Sequence, residues 1–506
     1  MKKIHIHNFF QSNLCQVLKK NMQQSLLPFI FKGSCQFLNS EINENTANDI
    51  ITQIPESRMD SMYHIEEKYL SNAVLARHKR SLTMIPIEIS FSNQPPSQFE
   101  AFISQNGILS VPRFYGIEHW GIPTYDNTCE GKSFSEAVFQ GTLNEIQNIA
   151  CQSTIKRLES DLKGGILVLP CGYGKTVCAL KIASHMRRRT LVLVHKAFLV
   201  EQWQERASTF IPGCSVGKIQ QNVINANADI VIGMIQSLSK RQYDMEVMNS
   251  FGTVIIDESH HMAAPILHKA LRQIPAKYIV SLSATPDRRD GLTRLLYWSM
   301  GSICYRIERQ PEHTLVSCML YEGGKRKEIK YKDDKISMPL MLNALVDDSS
   351  RNEVIAQKIV ACFAKQRYII VLTDRIKQLN CLFVILSNKG ILHEDMGYYI
   401  GTTSANDRNA TSSKRIILST YSMAKEGLDI PRLDTLVLGT PKGDIVQASG
   451  RIQRKHPEKK TPLIIDIVDT FSVFEQLRWK RWSFYRNEKF ECQTYDSAND
   501  DVIWYY

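Results

Sequence analysis

The sequence lacks the marks of several large protein classes. Its twelve cysteines, among them Cys15, Cys35, Cys129, Cys151, Cys171, Cys178 and Cys214, form no CxxC pair and no paired Cys/His spacing. That excludes a sequence-evident zinc module or disulfide framework and implies a reducing compartment. No stretch reaches the ~18 consecutive apolar residues of a membrane span. Met1 to Asn21 carries lysines but no uninterrupted apolar run of signal-peptide length. A soluble, intracellular chain is expected. Short-period repeats are also missing, which excludes a solenoid.

What is present is ordinary globular material in a large amount. The 506 residues exceed the roughly 250 to 300 at which single cores stop growing, so two or three domains are expected. Hydrophobic residues at 43% and charged residues at 22% are normal for folded domains. Lys and Arg outnumber Asp and Glu by 62 to 51, for a formal charge of +11. This suits a polyanionic partner without establishing one.

Residues 1–125 mix short apolar runs (Leu26 to Phe31, Met84 to Phe91) with polar spacers and the turn signal Pro95-Pro96. Nothing there has catalytic spacing, and the region reads as an N-terminal accessory domain. From Leu143, short β-rich runs alternate with helical segments, the pattern of a parallel α/β sheet. The runs are Gly165 to Leu169, Thr190 to His195, Asp229 to Gly233, Thr253 to Ile256 and Tyr278 to Ser283. After Arg351 a second series follows, with Tyr368 to Thr373, Arg415 to Thr420, Thr435 to Gly439 and Leu463 to Ile467 as buried strands. The stretch Gly323 to Lys335 is rich in Gly, Lys and Asp. The expected division is thus 1–125, a first α/β domain at 126–315, a linker or surface excursion at 316–339, and a second α/β domain at 340–506 ending in a helix.

The strand through Ile166 to Leu169 runs into Pro170-Cys171-Gly172-Tyr173-Gly174-Lys175-Thr176 and then an apolar helix, the context a phosphate loop requires. Glycines let backbone N–H groups turn inward, and those donors with the helix N-terminus hold phosphate oxygens. Lys175 is expected at the β and γ phosphates and the Thr176 hydroxyl at magnesium. The strict pattern has Gly where this chain has Leu169. Further on, the apolar strand Thr253 to Ile256 ends in Asp257-Glu258-Ser259-His260. Two carboxylates leaving a buried strand together cost energy unless something uses them. Asp257 suits a magnesium ligand, and Glu258 suits the base that orients and deprotonates an attacking water. An isolated acidic pair would be a helix cap; the upstream phosphate loop favours the catalytic reading.

From Leu143 to Phe490 these segments form an ordered series that resembles the helicases of superfamily 2, which implies two tandem RecA-like domains binding ATP and magnesium between them and nucleic acid across both. The resemblance assigns Gln147 to adenine. It makes Leu191 to Trp203 (LVLVHKAFLVEQW) and Ala228 to Leu238 (ADIVIGMIQSL) nucleic-acid-backbone segments, through Lys196 and through Gln236 and Ser237. Ser283-Ala284-Thr285 is similar to the motif that couples hydrolysis to strand movement. Its extension Pro286-Asp287-Arg288-Arg289-Asp290-Gly291, with the Pro-Cys-Gly phosphate loop, resembles the XPB and UvsW branch and its relatives of poxvirus and African swine fever virus type. Val111 to Gly116 (VPRFYG) is similar to the approach segment of the viral and phage members.

In the second α/β domain Thr373-Asp374-Arg375 resembles the motif after its first strand. Thr420 to Pro431 (TYSMAKEGLDIP) resembles the motif in which Thr420 meets nucleic acid while Gly427 and Asp429 face ATP. Gln447-Ala448-Ser449-Gly450-Arg451-Ile452-Gln453-Arg454 is the closing signature. Arg451 and Arg454 lie three apart and would share one face of a helix, placing guanidinium charge against the γ-phosphate. Gln447 and His260 are expected to couple the lobes, and His261 to be structural. Ser259 stands where Ala or another small residue is common in the family. Phe471 to Phe490 interleaves Phe474, Trp479, Trp482, Phe484 and Tyr485 with Arg478, Lys480, Arg481 and Arg486. Such a mix can stack bases and hold phosphates, yet its helical period favours a helix docked on the second lobe.

The expected function is an ATP-dependent helicase, with DNA favoured over RNA, serving viral transcription, replication or repair in the host cytoplasm or from the virion. The N-terminal domain would contact transcription or replication machinery. A double-strand translocase that releases transcripts without unwinding, or an RNA helicase, would carry the same motor motifs. A non-catalytic scaffold would not need Lys175, Asp257, Glu258, Arg451 and Arg454 together.

Overall fold

Strands whose side chains are all apolar are stable only at the centre of a sheet covered on both faces, and two such sheets organise the chain. A computed structural model describes residues 56–86, 98–170, 172–259, 262, 264–284, 291–307, 313–323, 327–331, 334–426, 428, 430–454, 456–496 and 502–505. The expected runs Leu26 to Phe31 and most of Met84 to Phe91 lie outside them.

The N-terminal region forms a small sheet of β1 (Ser57–Met59), β2 (Tyr63–Glu66), β3 (Ile103–Gln105), β4 (Ile108–Val111) and β5 (Tyr125–Asp126), in the order β3-β4-β2-β1-β5. Helices α1 (Asn72–Leu82) and α2 (Arg113–Trp120) accompany it.

The first large sheet contains β6 (Gly164–Val168), β7 (Thr190–Val194), β8 (Val216–Gln220), β9 (Val223–Asn225), β10 (Ile230–Met234), β11 (Thr253–Ile256), β12 (Tyr278–Ser283) and β13 (Ile303–Arg306). Their order is β9-β8-β10-β7-β11-β12-β6-β13. Only the β8–β9 hairpin is antiparallel. The flanking helices include α3 (Glu145–Leu158), α4 (Lys175–Met186), α5 (Ala197–Phe210), α6 (Ile235–Lys240) and α7 (Thr293–Met300). Every residue of β6, β7 and β11 is buried. Because these strands are parallel, the loops that follow them gather at one edge of the sheet, where open α/β sheets place their ligands. The N-terminal region is fastened to this lobe. Arg113, 3% exposed, donates from Nη1 to the Ala276 carbonyl at 2.7 Å, and the Tyr115 ring meets Trp298 of α7 edge-on with centroids 4.9 Å apart.

The second large sheet contains β14 (Leu315–Tyr321), β15 (Ile369–Thr373), β16 (Met396–Tyr399), β17 (Ile416–Thr420), β18 (Thr435–Leu438), β19 (Leu463–Asp469), β20 (Glu491–Asp496) and β21 (Val502–Tyr505). The order is β16-β17-β15-β18-β19-β14-β20-β21, parallel except for the β20–β21 pair. Its helices include α8 (Met338–Val346), α9 (Ser349–Ala364), α10 (Tyr421–Glu426), α11 (Val446–Arg451) and α12 (Val473–Asn487). Residues 316–321, expected to open a linker, instead belong to β14, which pairs with β19 and β20. The run LVSCMLY has no period-2 alternation and precedes a Gly- and Lys-rich stretch. It becomes a strand only because partners far along the chain bury it.

Arg351 of α9 fastens this lobe. Fully buried, it donates from Nε and Nη2 to the two carboxylate oxygens of Asp469 at 2.8 Å each and from Nη1 to the Gly439 carbonyl at 2.6 Å. It thereby joins the ends of β18 and β19. Arg351→Ala would strand a buried carboxylate, so stability is expected to fall by about 3 to 5 kcal/mol. A denaturant titration would show an unchanged midpoint if the fork did no stabilising.

Candidate functional site

The phosphate loop follows β6 with all five strand residues buried. Leu169, where a strict pattern has Gly, is also fully buried in the first lobe's core. Its N–H donates to the Ser283 carbonyl at 3.1 Å and its carbonyl accepts from Lys175 Nζ at 3.3 Å. The side chain points into the core, so Leu costs nothing at the phosphate side. Gly172 and Gly174 take φ of +87° and +78°, a left-handed region that glycine enters without strain. A Cβ on Gly174 would lie 2.4 Å from Gln147 Nε2, so a side chain there would displace the tip of Gln147. α4 then begins at Lys175, with Thr176 in its first turn. Cys171 lies outside the described residues.

Gln147 is held from both ends. Its Oε1 accepts from the Asn144 N–H at 3.0 Å, completing a capping box on α3, and its Nε2 donates to the Tyr173 carbonyl at 3.1 Å. It braces the loop from α3.

Beside the loop, β11 delivers the acidic pair. Lys175 Nζ sits 3.1 Å from Glu258 Oε1, with the two side chains 10% and 17% exposed. Glu258 has φ of +49°, which is strained for a residue with a Cβ and is found at functional turns. The turn aims adjacent carboxylates in different directions. Asp257, 6% exposed, accepts the Trp203 indole N–H on Oδ2 at 2.8 Å. Burial, then the charge of Glu258, push its carboxyl up to about 6, against the lowering pull of the Trp203 bond, Lys175 and His195. Burial disfavours the charged form and a like charge adds to it.

Trp203 of α5 and Ser281 of β12 hold the acidic turn, and sequence reasoning did not single them out. A buried indole N–H needs an acceptor, but the one it meets lies 54 positions away, so the sequence carried no local signal for the pair. Ser281 donates to Ser259 at 2.8 Å, both hydroxyls fully buried. This explains a hydroxyl at Ser259, and it ties the acidic turn to the strand that ends in Ser283. Ser283 is buried and Ala284 partly so; Thr285, Pro286 to Asp290, His260 and His261 lie outside the described residues.

The second lobe separates the two arginines. α11 ends at Arg451, so Arg454 follows in a turn and the shared helical face does not form. Arg451, 8% exposed, donates to the Ala424 carbonyl at 2.7 Å and the Leu428 carbonyl at 2.9 Å, holding the segment that carries Gly427 and Asp429. Those two residues lie outside the described set. Arg454 crosses the cleft instead, and a Cβ built on Gly172 would be 3.2 Å from its Cγ and 3.4 Å from its Nε. Gln447 is buried within α11.

The residues expected at nucleic acid sit at the same strand-end edges. Lys196 caps α5 after β7, and Gln236 and Ser237 open α6 after β10. β7 and β10 are neighbours. Gln236 Nε2 donates to the His195 carbonyl at 2.9 Å, and the Ser237 hydroxyl accepts the Gln221 N–H at 3.0 Å. Thr420 closes β17, its hydroxyl 3.1 Å from that of Ser422.

Comparison with known proteins shows the family and the fold. Residues 140–288 match the family described as type III restriction enzyme, res subunit. A candidate ATP-dependent RNA helicase of Acanthamoeba polyphaga mimivirus is 32% identical over 462 residues, covering 89% of this chain and 88% of the relative. One from African swine fever virus is 26% identical, covering 69% and 74%. Among solved structures, the fragment of a candidate HsdR subunit of a type I restriction enzyme from Vibrio vulnificus superposes with a TM-score of 0.50 at 18% identity, covering 73% of this chain and 71% of that one. It shares the tandem RecA-like fold. No helix among the described residues is long and apolar enough to cross a membrane. By its likeness to these relatives, the chain belongs to the superfamily 2 helicases, as an ATP hydrolase with relatives in large DNA viruses.

Proposed function

We propose that the chain is a motor that hydrolyses Mg-ATP between its lobes to move along and unwind DNA. The carrying observation is the Lys175–Glu258 ion pair, 3.1 Å long, beside a loop whose Gly172 lies against Arg454 of the second lobe. An ammonium paired with a carboxylate in a half-enclosed site is poised to exchange that partner for phosphate oxygens. Glu258 is then released to take the proton of the attacking water. Thr176 and Asp257 would hold magnesium, whose charge offsets that of the phosphates when it is bound. Arg454 would meet the charge that grows on the γ-phosphate, and Arg451 would act through the Ala424 to Leu428 segment. Nucleic acid would cross Lys196, Gln236, Ser237 and Thr420. Gln147 would lie at the adenine end, and His260, the Ser283 to Thr285 segment and Gln447 would transmit closure. The boundaries 1–125, 126–315 and 340–506 serve as working domain limits, with the second lobe extended back to Leu315 by β14.

DNA as the substrate rests on the resemblance to the XPB and UvsW branch. RNA is the second reading, favoured by the names of the mimivirus and African swine fever virus relatives. ATP turnover at matched salt with single-stranded DNA, duplex DNA and RNA of equal length tests both. Stimulation by RNA alone overturns the DNA reading, and stimulation by duplex DNA without strand separation makes the protein a translocase. The logarithm of the affinity should fall linearly with log salt for either polymer, because phosphate contacts release counterions.

Trp203 supplies a further prediction. Removing the indole N–H in Trp203→Phe leaves Asp257 less well oriented, and a partner that ligates through a positioned carboxylate typically loses ~10- to 100-fold in metal affinity. The lost hydrogen bond had favoured the ionised form, so the carboxyl should move further up. At limiting magnesium, turnover would then fail at higher pH than in the parent. A magnesium titration that superposes on the parent's would remove Trp203 from the site.

A further inference from the structure

α12 docks by one face and leaves an unusual second face outward. Phe474, Arg481 and Tyr485 are buried. Arg481 Nε donates to Asp466 Oδ2 at 2.8 Å, and the Tyr485 hydroxyl donates to the same oxygen at 2.9 Å. On the other side Trp479 is 52% exposed. Its ring meets that of Trp482 edge-on, with centroids 5.5 Å apart. The Arg478 guanidinium lies 5.3 Å from the Trp479 ring, and that of Arg486 lies 5.8 Å from the Trp482 ring. Positions 479, 482 and 486 follow one another at three- and four-residue steps, so they share one helical face. With Arg481 neutralised by Asp466, the helix and its end present Arg478, Lys480, Arg486 and Lys489 against Glu475 and Glu488.

The place of this helix matters as much as its composition. Arg481 Nη1 donates to the Lys442 carbonyl at 3.0 Å, and Lys442 pairs with Asp374 at 2.9 Å. A Cβ on Gly443 would lie 3.1 Å from Lys480 Cδ. Asp374, Lys442 and Gly443 follow β15 and β18, and Thr420 ends β17, so α12 flanks the strand-end edge of the second sheet. Neither docking nor helix formation requires an exposed indole there, whereas π-faces framed by guanidinium groups suit unpaired bases on a phosphate chain.

We propose that the outer face of α12 is an accessory site for single-stranded nucleic acid, with a base stacked on Trp479 and phosphates held by Arg478 and Arg486, while Trp482, partly buried against the core of the second lobe, backs the Trp479 ring. It lies outside the motor motifs, and it rests on the reading of the protein as a nucleic-acid motor. Duplex lacks free base faces, so the site discriminates unpaired strands from paired ones by stacking.

The test uses the full chain and measures binding of a single-stranded oligonucleotide and a blunt duplex at one salt concentration, alongside ATP turnover with and without nucleic acid. Trp479→Ala is expected to weaken single-strand affinity by about tenfold, with blunt-duplex affinity and unstimulated turnover unchanged. Trp479→Phe, which keeps a π-face, should recover most of the loss. If the parent is stimulated by nucleic acid but Trp479→Ala binds the oligonucleotide as the parent does, the α12 site is wrong and its face is left to a protein partner. Equal losses for oligonucleotide and blunt duplex would also overturn it, by showing charge alone at work. A parent that neither binds nor responds to any nucleic acid sinks the motor reading itself, and the α12 site with it.

Discussion

Glu258→Gln is expected to lower ATP turnover by ~100-fold or more while ATP still binds. The amide keeps the size of the side chain and its reach to Lys175, 3.1 Å away, but it cannot take a proton from water. The φ of +49° at this residue is set by the turn and not by the carboxylate, so the fold should persist. Single-turnover hydrolysis measured beside equilibrium binding of ATP separates the two effects. Hydrolysis within a few-fold of the parent would remove Glu258 as the base.

The second large effect distinguishes two arginines that look equivalent in the sequence. Arg454→Ala is expected to lose about 10³-fold in turnover, the scale of a guanidinium that meets transition-state charge. Its melting temperature should barely change, because the side chain reaches over Gly172 rather than into a core. Arg451→Ala should instead lose stability, by roughly 1 to 3 kcal/mol, because the Ala424 and Leu428 carbonyls lose their charged donor. Thermal melting and kcat measured on both variants decide the matter. If Arg451→Ala alone lost turnover with its stability intact, the assignment would reverse.

These contrasts show where sequence reasoning carries and where it stops. Strands such as Thr253–Ile256 and Tyr278–Ser283 were legible because a continuous apolar run between polar segments has few other uses. The phosphate loop was legible because glycine spacing, lysine and the flanking strand and helix are all local. β14 was not, since LVSCMLY becomes a strand only through β19 and β20. The link from Trp203 to Asp257 spans 54 positions, and no local pattern announces it.

By itself, then, the sequence determined most strands of the two large sheets, the strand–loop–helix around Gly172 to Thr176 and the presence of an acidic pair, because each depends on residues within a turn or two of one another. Tertiary structure alone decided where those pieces sit and what they touch. It turned Leu169 inward, ended α11 before Arg454 and sent that side chain across the cleft, while Arg451 turned back to hold its own lobe. It also left Trp479 in solvent as Arg481 and Tyr485 of the same helix closed on Asp466. The physical reason is that a side chain's role is set by what faces it, and in a parallel α/β fold the facing groups come from strands far apart in the chain.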